Sequence, residues 1–564
     1  MTSAPAHPGR IDAAAALGEL AGRRGRMAAL CTEQGTVRMD WVDSVAALLA
    51  HSGPLQDLER LAQEWRRRGI RHVVWAGMGG SSVTVGVLAG LAADGESAAP
   101  AVHVLDSTDP VAIDALVARL AVGKNLQADR LLRPEDLRAL LRDVVLVAVS
   151  MGLTSEEPAT HLSWFLELLA AARLPAARHA VVLTVPGSRL EEAAEREGLD
   201  ARPVFLRNRG GLPGRMSAPG TSVFLLPVAL RGERLRDVLA EAWSAHDLGG
   251  TIEDPHRSPY VRLALELAAR TRGGRARLML GLPPQWAPLH VWIEQLFEQT
   301  LGKEGKGVVV LEPQRLNRAA VGYRDDDLIV ATGRSENDVA VPAPDPSLTA
   351  HAGLSAAMLG WQLVAALLSY RAGTNIVDEP AVEDYKARAR ALRVEADVLE
   401  RAVMEGAVDW AVHGAEGVEP LAEALIRASR EGGLSYIDLT INGELDATDR
   451  STLRGRLQGL GNDLLGVPVK LRRAPAAYHV SEQCQLDGPA GVVSLRVVAR
   501  ETESARLGDY TPQFLHAQAV ATWQAMTARG RDCTLVVLDR LEDVSEVLAA
   551  ADELVQSRMG GRVW

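Results

Sequence analysis

Apolar positions follow two different spacings along this chain. In residues 1–65 they recur at helical spacing, as in residues 11–27 and 41–50, and this pattern predicts helices. Beyond residue 65, short and uniformly apolar runs such as Ala101–Leu105 and 143–149 alternate with helical stretches. Uniformly apolar runs are typical of strands that are buried on both faces of a parallel sheet. The pattern therefore predicts an α/β fold in which parallel sheets are flanked by helices.

The same alternation occurs on both sides of a break. Expected strands lie at residues 71–77, 101–105, 143–149, 179–185, 276–280, 308–311, 328–332, 436–441, 492–498 and 533–538. Two prolines interrupt the pattern at residues 254–259, and the alternation resumes after them. We therefore expect N-terminal helices in residues 1–65 that pack on the core, a first α/β domain in 66–255, and a second α/β domain with a C-terminal extension in 256–564.

Composition and charge narrow the classes of function. The 564 residues include 61 Lys+Arg and 72 Asp+Glu, which gives a formal charge of −11 without a long basic block, so general nucleic-acid binding is not expected. Three scattered cysteines and 13 histidines without metal-ligand spacing predict neither a disulfide framework nor a metal, and no cofactor is expected. We find no signal-peptide pattern and no run of about 18 apolar residues, so we expect a cytoplasmic protein outside the membrane.

The first candidate site is a glycine-rich turn between an expected strand and an expected helix. Its sequence is Gly-Met-Gly-Gly-Ser-Ser over residues 77–82. Glycines allow a tight turn and a close approach of a ligand to the helix N-terminus, where backbone amides and serine hydroxyls hold an anion. Gly79, Gly80, Ser81 and Ser82 are therefore candidate binding residues. The alternative is a plain tight turn without a ligand.

Three further segments are candidates for anion binding. Ser150, Thr154 and Ser155 follow an expected strand, at the position where α/β folds bind ligands, although they also suit a helix cap. Arg215 ends a glycine-rich segment, residues 209–215, and suits an oxyanion or a phosphate, unless it is a solvated loop arginine. The segment 302–307, Gly-Lys-Glu-Gly-Lys-Gly, suits a polyanion or is simply a charged turn.

These segments, taken in order, resemble the phosphoglucose isomerase family, and in particular its bacterial form that is fused to, or encoded beside, transaldolase. The segments that carry the resemblance are residues 74–82, 103–110, 205–230 with Gly-Arg-Met-Ser at 214–217, Gln295-Leu296 with 302–307, the spacing of Trp361, Gly373, Asn375, Asp378, Pro380 and Val382, and Ala-Gln-Ala at 517–519. The resemblance extends over roughly residues 65–540. The ordered set is specific, although each piece alone is not.

The resemblance implies two sugar-isomerase-type (SIS) domains, each a parallel sheet flanked by helices. It also implies a glucose-6-phosphate isomerase of glycolysis and gluconeogenesis, which interconverts an aldose and a ketose phosphate. In this family a carboxylate base moves a proton between C1 and C2 through an enediol, a cationic side chain stabilises the oxyanion, and a Ser/Thr loop holds the phosphate. The partners it implies are a sugar phosphate, a second copy of the chain, and a transaldolase.

The family's catalytic residues map onto this sequence with substitutions. Arg215 matches the arginine that stabilises the oxyanion. The position of the base falls on Gln299 when the segments are aligned without a gap, and Glu298 lies one residue earlier. A glutamine amide cannot accept a proton at neutral pH. The family's position for the base is therefore occupied here by a residue that cannot perform its role.

The family's binding segments are kept in part. Ser150, Thr154 and Ser155 match hydroxyl residues of the phosphate loop, in which Met151 replaces a lysine. His479 matches the first residue of a His-Ser-Thr-Gly-Gln-Leu-His-Lys segment, and the lysine at the end of that segment is lost. The loss of the lysine from the phosphate loop predicts weaker phosphate binding than in an intact relative.

Two functions stay open, because the base and lysine positions are substituted. The first is an isomerase, with Glu298 as the base from a locally shifted backbone. The second is a catalytically silent relative, a pseudoenzyme that binds a sugar phosphate or a partner enzyme. A transcription regulator with the same fold is disfavoured, because no helix-turn-helix or basic patch precedes the first expected sheet.

Overall fold

The computed structural model describes most of the chain. The described residues are 12–91, 99–122, 124, 126, 133–152, 156–207, 211–333, 335, 337–395, 397–500 and 512–559. The strands are β1 Thr32–Glu33, β2 Thr36–Val37, β3 His72–Ala76, β4 Ala101–Leu105, β5 Val144–Val149, β6 Ala180–Thr184, β7 Asp200–Pro203, β8 Arg275–Leu280, β9 Gly307–Leu311, β10 Leu328–Ala331, β11 Val408–Asp409, β12 Tyr436–Asn442, β13 Val469–Ala474, β14 Val492–Ala499 and β15 Asp532–Leu538.

Helices occupy the segments between most of these strands. In the first half they are α1 Ala13–Gly22, α2 Gly25–Leu30, α3 Ser44–Ala50, α4 Gly53–Arg67, α5 Gly80–Gly90, α6 Pro110–Val122, α7 Pro134–Leu141, α8 Glu157–Ala171, α9 Ala176–His179, α10 Arg189–Glu197, α11 Ser222–Leu230, α12 Leu235–His246 and α13 Leu248–Glu253. In the second half they are α14 Pro259–Arg270, α15 Leu289–Leu301, α16 Ala350–Ala372, α17 Pro380–Leu392, α18 Val398–Met404, α19 Trp410–His413, α20 Glu419–Glu431, α21 Ala447–Gln458, α22 Glu482–Asp487, α23 Gln513–Ala528 and α24 Val544–Met559.

The first sheet is five-stranded, in the order β4-β3-β5-β6-β7, and all its strand pairs are parallel. Every residue of β5 and β6 is buried, which is why both appear as uniformly apolar runs. The chain passes from β3 to β4 on one side and then returns to β5 on the other. This reversal opens a crevice at the carboxyl ends of β3 and β5, the usual place for a ligand in such sheets.

The later strands form two parallel sheets rather than one. A three-stranded sheet has the order β10-β8-β9, and a five-stranded sheet has the order β11-β15-β14-β12-β13. Gln314 connects them, because its side chain exchanges two 2.8 Å hydrogen bonds with the backbone of Val469. The parallel α/β class predicted from the sequence is confirmed, whereas the domain boundaries at residues 65 and 255 stay predictions.

The carboxyl ends of the first and third sheets face each other. Arg473, at the end of β13, pairs with both Asp106 beyond β4 and Glu444 beyond β12. The backbone N–H of Glu444 also donates to Asp109, at 2.8 Å. Loops from both sheets therefore meet at the side where the crevice opens.

A long apolar helix, α16, runs through the core. Its length and composition would allow it to cross a bilayer, but 89% of its most apolar window is buried inside the protein. Trp361 of α16 packs edge-on against Tyr260 and Phe297, at ring-centroid distances of 6.1 and 5.8 Å. The helix therefore occupies the position of a core element.

Several elements differ from the pattern predicted from the sequence. Residues 1–65 are not only helical, because β1 and β2 form a short antiparallel hairpin. The strand β13 was not predicted, since three of its six residues are Lys470, Arg472 and Arg473. Ion pairs compensate these charges inside the fold, and a charge pattern alone does not reveal such partners. The short strand β7 was also missed, because it is polar and mostly exposed.

Candidate functional site

A cleft of about 840 Å³ lies at the carboxyl ends of β3, β5 and β6. Its lining brings together eight parts of the chain that are distant in sequence. They are Gly79–Ser81 after β3, Ser150, Met151 and Gly152 after β5, Thr184, Val185 and Pro186 after β6, the loop Gly211 to Arg215, Gln295 and Gln299 of α15, Glu379, Glu383 and Lys386 at the start of α17, His479, and residues in and next to the N-terminal hairpin. Most of the predicted site residues therefore meet in this one cleft.

The glycine turn is shaped by close backbone contacts. Gly79 has φ +58°, and a Cβ there would lie 3.1 Å from the carbonyl oxygen of His479. A Cβ on Gly80 would lie only 2.1 Å from the carbonyl oxygen of Gly214. Side chains are excluded at both positions, so the turn and the loop that carries Arg215 can touch. Helix α5 starts at Gly80, and its N-terminus opens at the cleft.

The serine hydroxyls of this turn bind the backbone. Ser81 Oγ donates to the Met78 carbonyl at 2.9 Å, and Ser82 Oγ donates to the Gly79 carbonyl at 3.1 Å. Trp75 of β3 holds the turn from below, since its indole N–H donates to the Ser81 carbonyl at 3.0 Å. Ser81 lines the cleft, whereas Ser82 is buried behind it.

The predicted phosphate loop is described only in part. Ser150 lines the cleft, and its hydroxyl donates to the Gly152 carbonyl at 2.9 Å. Met151 lines the cleft where the resemblance implies a lysine. Thr154 and Ser155 lie outside the described residues. The described part of this loop therefore offers a hydroxyl group and a thioether to a ligand.

Arg215 lies in the cleft wall and is held by several partners. Its Nε donates to Thr300 at 2.9 Å, its Nη2 donates to the carbonyls of Ile376 at 2.5 Å and Asp378 at 3.3 Å, and its Nη1 pairs with Glu379. The side chain is fully buried. Burial lowers the pKa of Arg215, and the carboxylate of Glu379 opposes that effect. The guanidinium is therefore a fixed part of the wall.

Helix α15 separates the two candidates for the base. Gln299 lines the cleft, whereas Glu298 is completely buried and faces β9 and β13. Glu298 Oε1 accepts from the Val310 backbone at 2.8 Å and pairs with Lys470 at 2.5 Å. Burial raises the pKa of Glu298 to about 7, although Lys470 acts to lower it. The structure does not bring Glu298 to the cleft.

His479 is held by a carboxylate that the sequence reasoning missed. Its Nε2 lies 3.0 Å from Glu157 Oε1, which also accepts at 3.0 Å from the Gln518 amide. Burial alone would raise the pKa of Glu157, but His479 lowers it below its usual range. The signal was available, because Glu157 lies just beyond Thr154 and Ser155. The pair orients an imidazole in the cleft that can exchange a proton with a sugar hydroxyl or ring oxygen.

Lys386 is a second missed residue. It lines the cleft from α17, and its Nζ lies 3.0 Å from Glu383. Burial would lower the pKa of Lys386, but the carboxylates of Glu383 and Glu379 raise it overall. The lysine lies four residues beyond Val382, in continuation of a stretch that already carried the resemblance. It supplies a cation to a cleft in which Met151 supplies none.

The N-terminal hairpin is the third missed contribution. Glu33, Gln34 and Arg38 line the cleft, and Arg38 Nε lies 2.7 Å from Glu33 Oε2. Nothing in the sequence pattern of residues 1–65 associates this hairpin with the glycine turn, which lies some 40 residues further along the chain.

The lysines of segment 302–307 have structural partners. Lys303 is 4% exposed and pairs with Asp378 at 2.8 Å, and burial lowers its pKa to about 8. Lys306 donates to the Ala372 carbonyl at 3.1 Å. These contacts favour the interpretation as a charged turn. Within the described ranges, no group of three or more His, Cys, Asp or Glu side chains could hold a metal ion.

The fold and the cleft define an α/β protein with a cavity at the carboxyl ends of parallel strands, and comparison with known proteins gives its relatives. No family model matches the chain. It is 30% identical over 239 residues to a glucose-6-phosphate isomerase of Synechococcus sp. (strain JA-3-3Ab), covering 41% of this chain and 40% of that protein. It is 32% identical over 245 residues to the Geobacter sulfurreducens glucose-6-phosphate isomerase, covering 42% and 41%. It is 27% identical over 237 residues to a probable glucose-6-phosphate isomerase of Haloquadratum walsbyi, covering 42% and 48%.

The predicted resemblance is thus confirmed, because curated glucose-6-phosphate isomerases are related to about two fifths of the chain. The chain likewise spans less than half the length of each of these relatives. Among solved structures, a glucose-6-phosphate isomerase from Chlamydia trachomatis matches 69% of this chain and 88% of its own, with 13% identity and a TM-score of 0.47.

Proposed function

We propose that this protein binds a hexose phosphate in the cleft and has lost most of the aldose–ketose isomerase turnover of its relatives. The observation that carries the proposal is the arrangement on α15. The residue that faces the cleft at the position of the base is Gln299, and the neighbouring carboxylate of Glu298 is buried against Lys470.

The chemistry of isomerisation explains why this arrangement matters. Interconverting an aldose and a ketose requires a base that removes a proton at C2 and returns it at C1. A neutral amide has no affinity for that proton at physiological pH. A working general base contributes about 10²–10⁴ in rate, so its loss leaves a slow isomerase at best.

Ligand binding is supported by groups that do not depend on the base. The N-terminus of α5 opens at the cleft beside Ser150, and Lys386 lines the same cavity. A helix N-terminus and an ammonium group both favour an anion such as a phosphate. His479 adds an imidazole that is positioned by Glu157. These groups suit a phosphorylated polyhydroxy compound.

Two measurements on the full chain test the proposal. Fructose 6-phosphate turnover, coupled to a dehydrogenase, should be at least about 100-fold below that of an intact relative. Calorimetry with glucose 6-phosphate should nevertheless show binding. Glu298→Gln should change neither result, and Gln299→Glu alone should not restore full turnover because Met151 stays in place. Robust turnover in the unmodified protein would overturn the proposal.

A second candidate function is an isomerase with a relocated base. It is favoured by the carboxylates of Glu379 and Glu383, both of which line the cleft. Each is already paired, with Arg215 and Lys386 respectively, which lowers its availability as a base. Turnover that is lost in Glu383→Gln and retained in Glu298→Gln would support this function.

The relatives also support a wider context for the proposal. A role in hexose-phosphate metabolism is supported by the activity named for them, and glycolysis and gluconeogenesis stay predictions from the resemblance. A homodimer, a transaldolase partner and a cytoplasmic location stay predictions from the resemblance. Light scattering on the purified chain, alone and mixed with a transaldolase, tests the first two.

A further inference from the structure

Two glutamines on α15 bind the same carbonyl oxygen. Gln295 Nε2 lies 2.8 Å from the carbonyl oxygen of His479, and Gln299 Nε2 lies 3.0 Å from it. The two residues are four positions apart, so they lie on one face of the helix, and both line the cleft. They are 2% and 3% exposed, which places both amide groups in the cleft wall.

The orientation of both amides follows from the chemistry of their partner. A carbonyl oxygen can only accept hydrogen bonds, and its two lone pairs allow it to accept two. Both glutamines must therefore turn their NH₂ groups toward His479. The Oε1 atom of each amide then points away from the His479 carbonyl and can accept a hydrogen bond.

One of these acceptors has no partner within the described part of the chain. Gln295 Oε1 is buried and makes no hydrogen bond there. An unsatisfied buried polar atom destabilises the folded state, so native proteins seldom leave one without a purpose. Because Gln295 lines the cleft, a hydrogen-bond donor on a ligand would satisfy this atom.

The pair differs chemically from the carboxylate that the family places at residue 299. Two amide oxygens accept hydrogen bonds but carry no charge and take up no proton. They suit two neighbouring donors on a ligand, such as the hydroxyls of a vicinal diol. They disfavour an anionic oxygen, which has no hydrogen to donate and would face two acceptors.

We propose that Gln295 and Gln299 make the cleft selective for the un-ionised C1–C2 diol of a phosphorylated sugar or polyol, and selective against ligands that are anionic at C1. This inference rests on the proposed function, because it assumes that a sugar phosphate enters the cleft. It goes beyond that function because it gives Gln299, which stands at the position of the base, a role in discriminating between ligands. A site built to bind a hydroxyl group rejects analogues that lack it.

Two small ligands that differ only at C1 form a matched pair for the test. Glucitol 6-phosphate carries a hydroxymethyl group at C1, whereas 6-phosphogluconate carries a carboxylate there, and both share the remaining hydroxyls and the phosphate. Calorimetry on the full chain should show that glucitol 6-phosphate binds about tenfold more tightly, as expected for the loss of one or two good hydrogen bonds.

Gln295→Met tests the assignment to these residues. Methionine has a similar volume but no amide oxygen, and the substitution leaves the formal charge unchanged. The ratio of the two affinities should therefore fall toward one, and a change in overall charge cannot explain such a result. Gln56→Met, on the exposed face of α4, is the matched control and should keep the ratio. Thermal unfolding of each variant checks that it is folded.

Each outcome has a distinct meaning. Equal affinities in the unmodified protein, or tighter binding of 6-phosphogluconate, would overturn the inference and leave the proposed function standing. A preference that persists in Gln295→Met and also in Gln299→Met would overturn it as well. If no sugar or polyol phosphate binds, the proposed function fails and this inference fails with it.

Discussion

Glu298→Gln tests how the buried carboxyl group next to Gln299 makes the stability of the fold depend on pH. In the native protein, Lys470 lies 2.8 Å from Glu294 and 2.5 Å from Glu298, so one ammonium group is shared by two carboxylates. Glu298 is 0% exposed, and its Oε2 has no partner in the described ranges. Burial therefore raises the pKa of Glu298 to about 7, above the ordinary value of 4.5.

The sign of the effect follows from proton linkage. Between pH 4.5 and about 7 the folded protein holds a proton on Glu298 that the unfolded chain releases. Stability is therefore lost as the pH rises through this window, and it levels off above the folded pKa. The difference between the two pKa values corresponds to roughly 3 kcal/mol in total. Glutamine cannot ionise, so Glu298→Gln removes this dependence.

The assay is denaturant unfolding of both proteins at several pH values from 5 to 8.5. The difference in free energy of unfolding, variant minus native, should grow with pH by roughly 3 kcal/mol, because effects common to both proteins cancel. Glu195→Gln on the exposed face of α10 is a matched control and should give a difference that does not vary with pH.

Parallel pH profiles for native protein and Glu298→Gln would refute this reasoning. They would show that Lys470 compensates the Glu298 charge fully. Isomerase turnover measured on the same samples adds a second readout, since loss of turnover in Glu298→Gln would mean that Glu298 reaches the substrate after all.

Three further predictions follow from the cleft and the core. Gly80→Ala would bring a Cβ to 2.1 Å from the Gly214 carbonyl oxygen, so glucose 6-phosphate binding should fall at least about tenfold by calorimetry. Gly86→Ala on the same helix has open space and is the control, and equal binding in the two variants would contradict the prediction. Lys386→Met should weaken the same binding about tenfold and reduce its salt dependence, whereas an unchanged salt dependence would show that the ammonium does not contact the phosphate. Arg472→Met should lower the free energy of unfolding by about 3–5 kcal/mol, because it removes the ion-pair partner of buried Asp438 and one of the two arginines that pair with buried Glu482. A loss below about 1 kcal/mol in denaturant unfolding would contradict that expectation.

The sequence by itself determined the class of the fold and much of the cleft. Uniformly apolar strands such as β5 and β6 can form only where helices cover both faces of a sheet, so a parallel α/β arrangement follows from the pattern. The glycines at residues 79 and 80 predicted a tight turn that a ligand or another part of the backbone can approach closely. The structure shows the carbonyl oxygens that would collide with a side chain there. These features are local, and local features are encoded in short stretches of sequence.

The tertiary structure alone decided which side chains meet. Gln299 and Glu298 are neighbours in the chain, but successive residues on a helix point about 100° apart, so only packing determines which of them faces the cleft. Alignment by itself left both open as the base. The structure directs Glu298 to Lys470 and leaves Gln299 at the cavity.

The same reason accounts for what the sequence pattern missed. The charges of β13 are not typical of a buried strand, and partners such as Glu298 and Asp438 are distant in sequence and close only in the fold. Arg38, just after the N-terminal hairpin, and Lys386 reach the cleft from distant parts of the chain. Pairing between distant residues depends on how sheets and helices pack, so composition and spacing determine the elements, and only the packed protein determines the site.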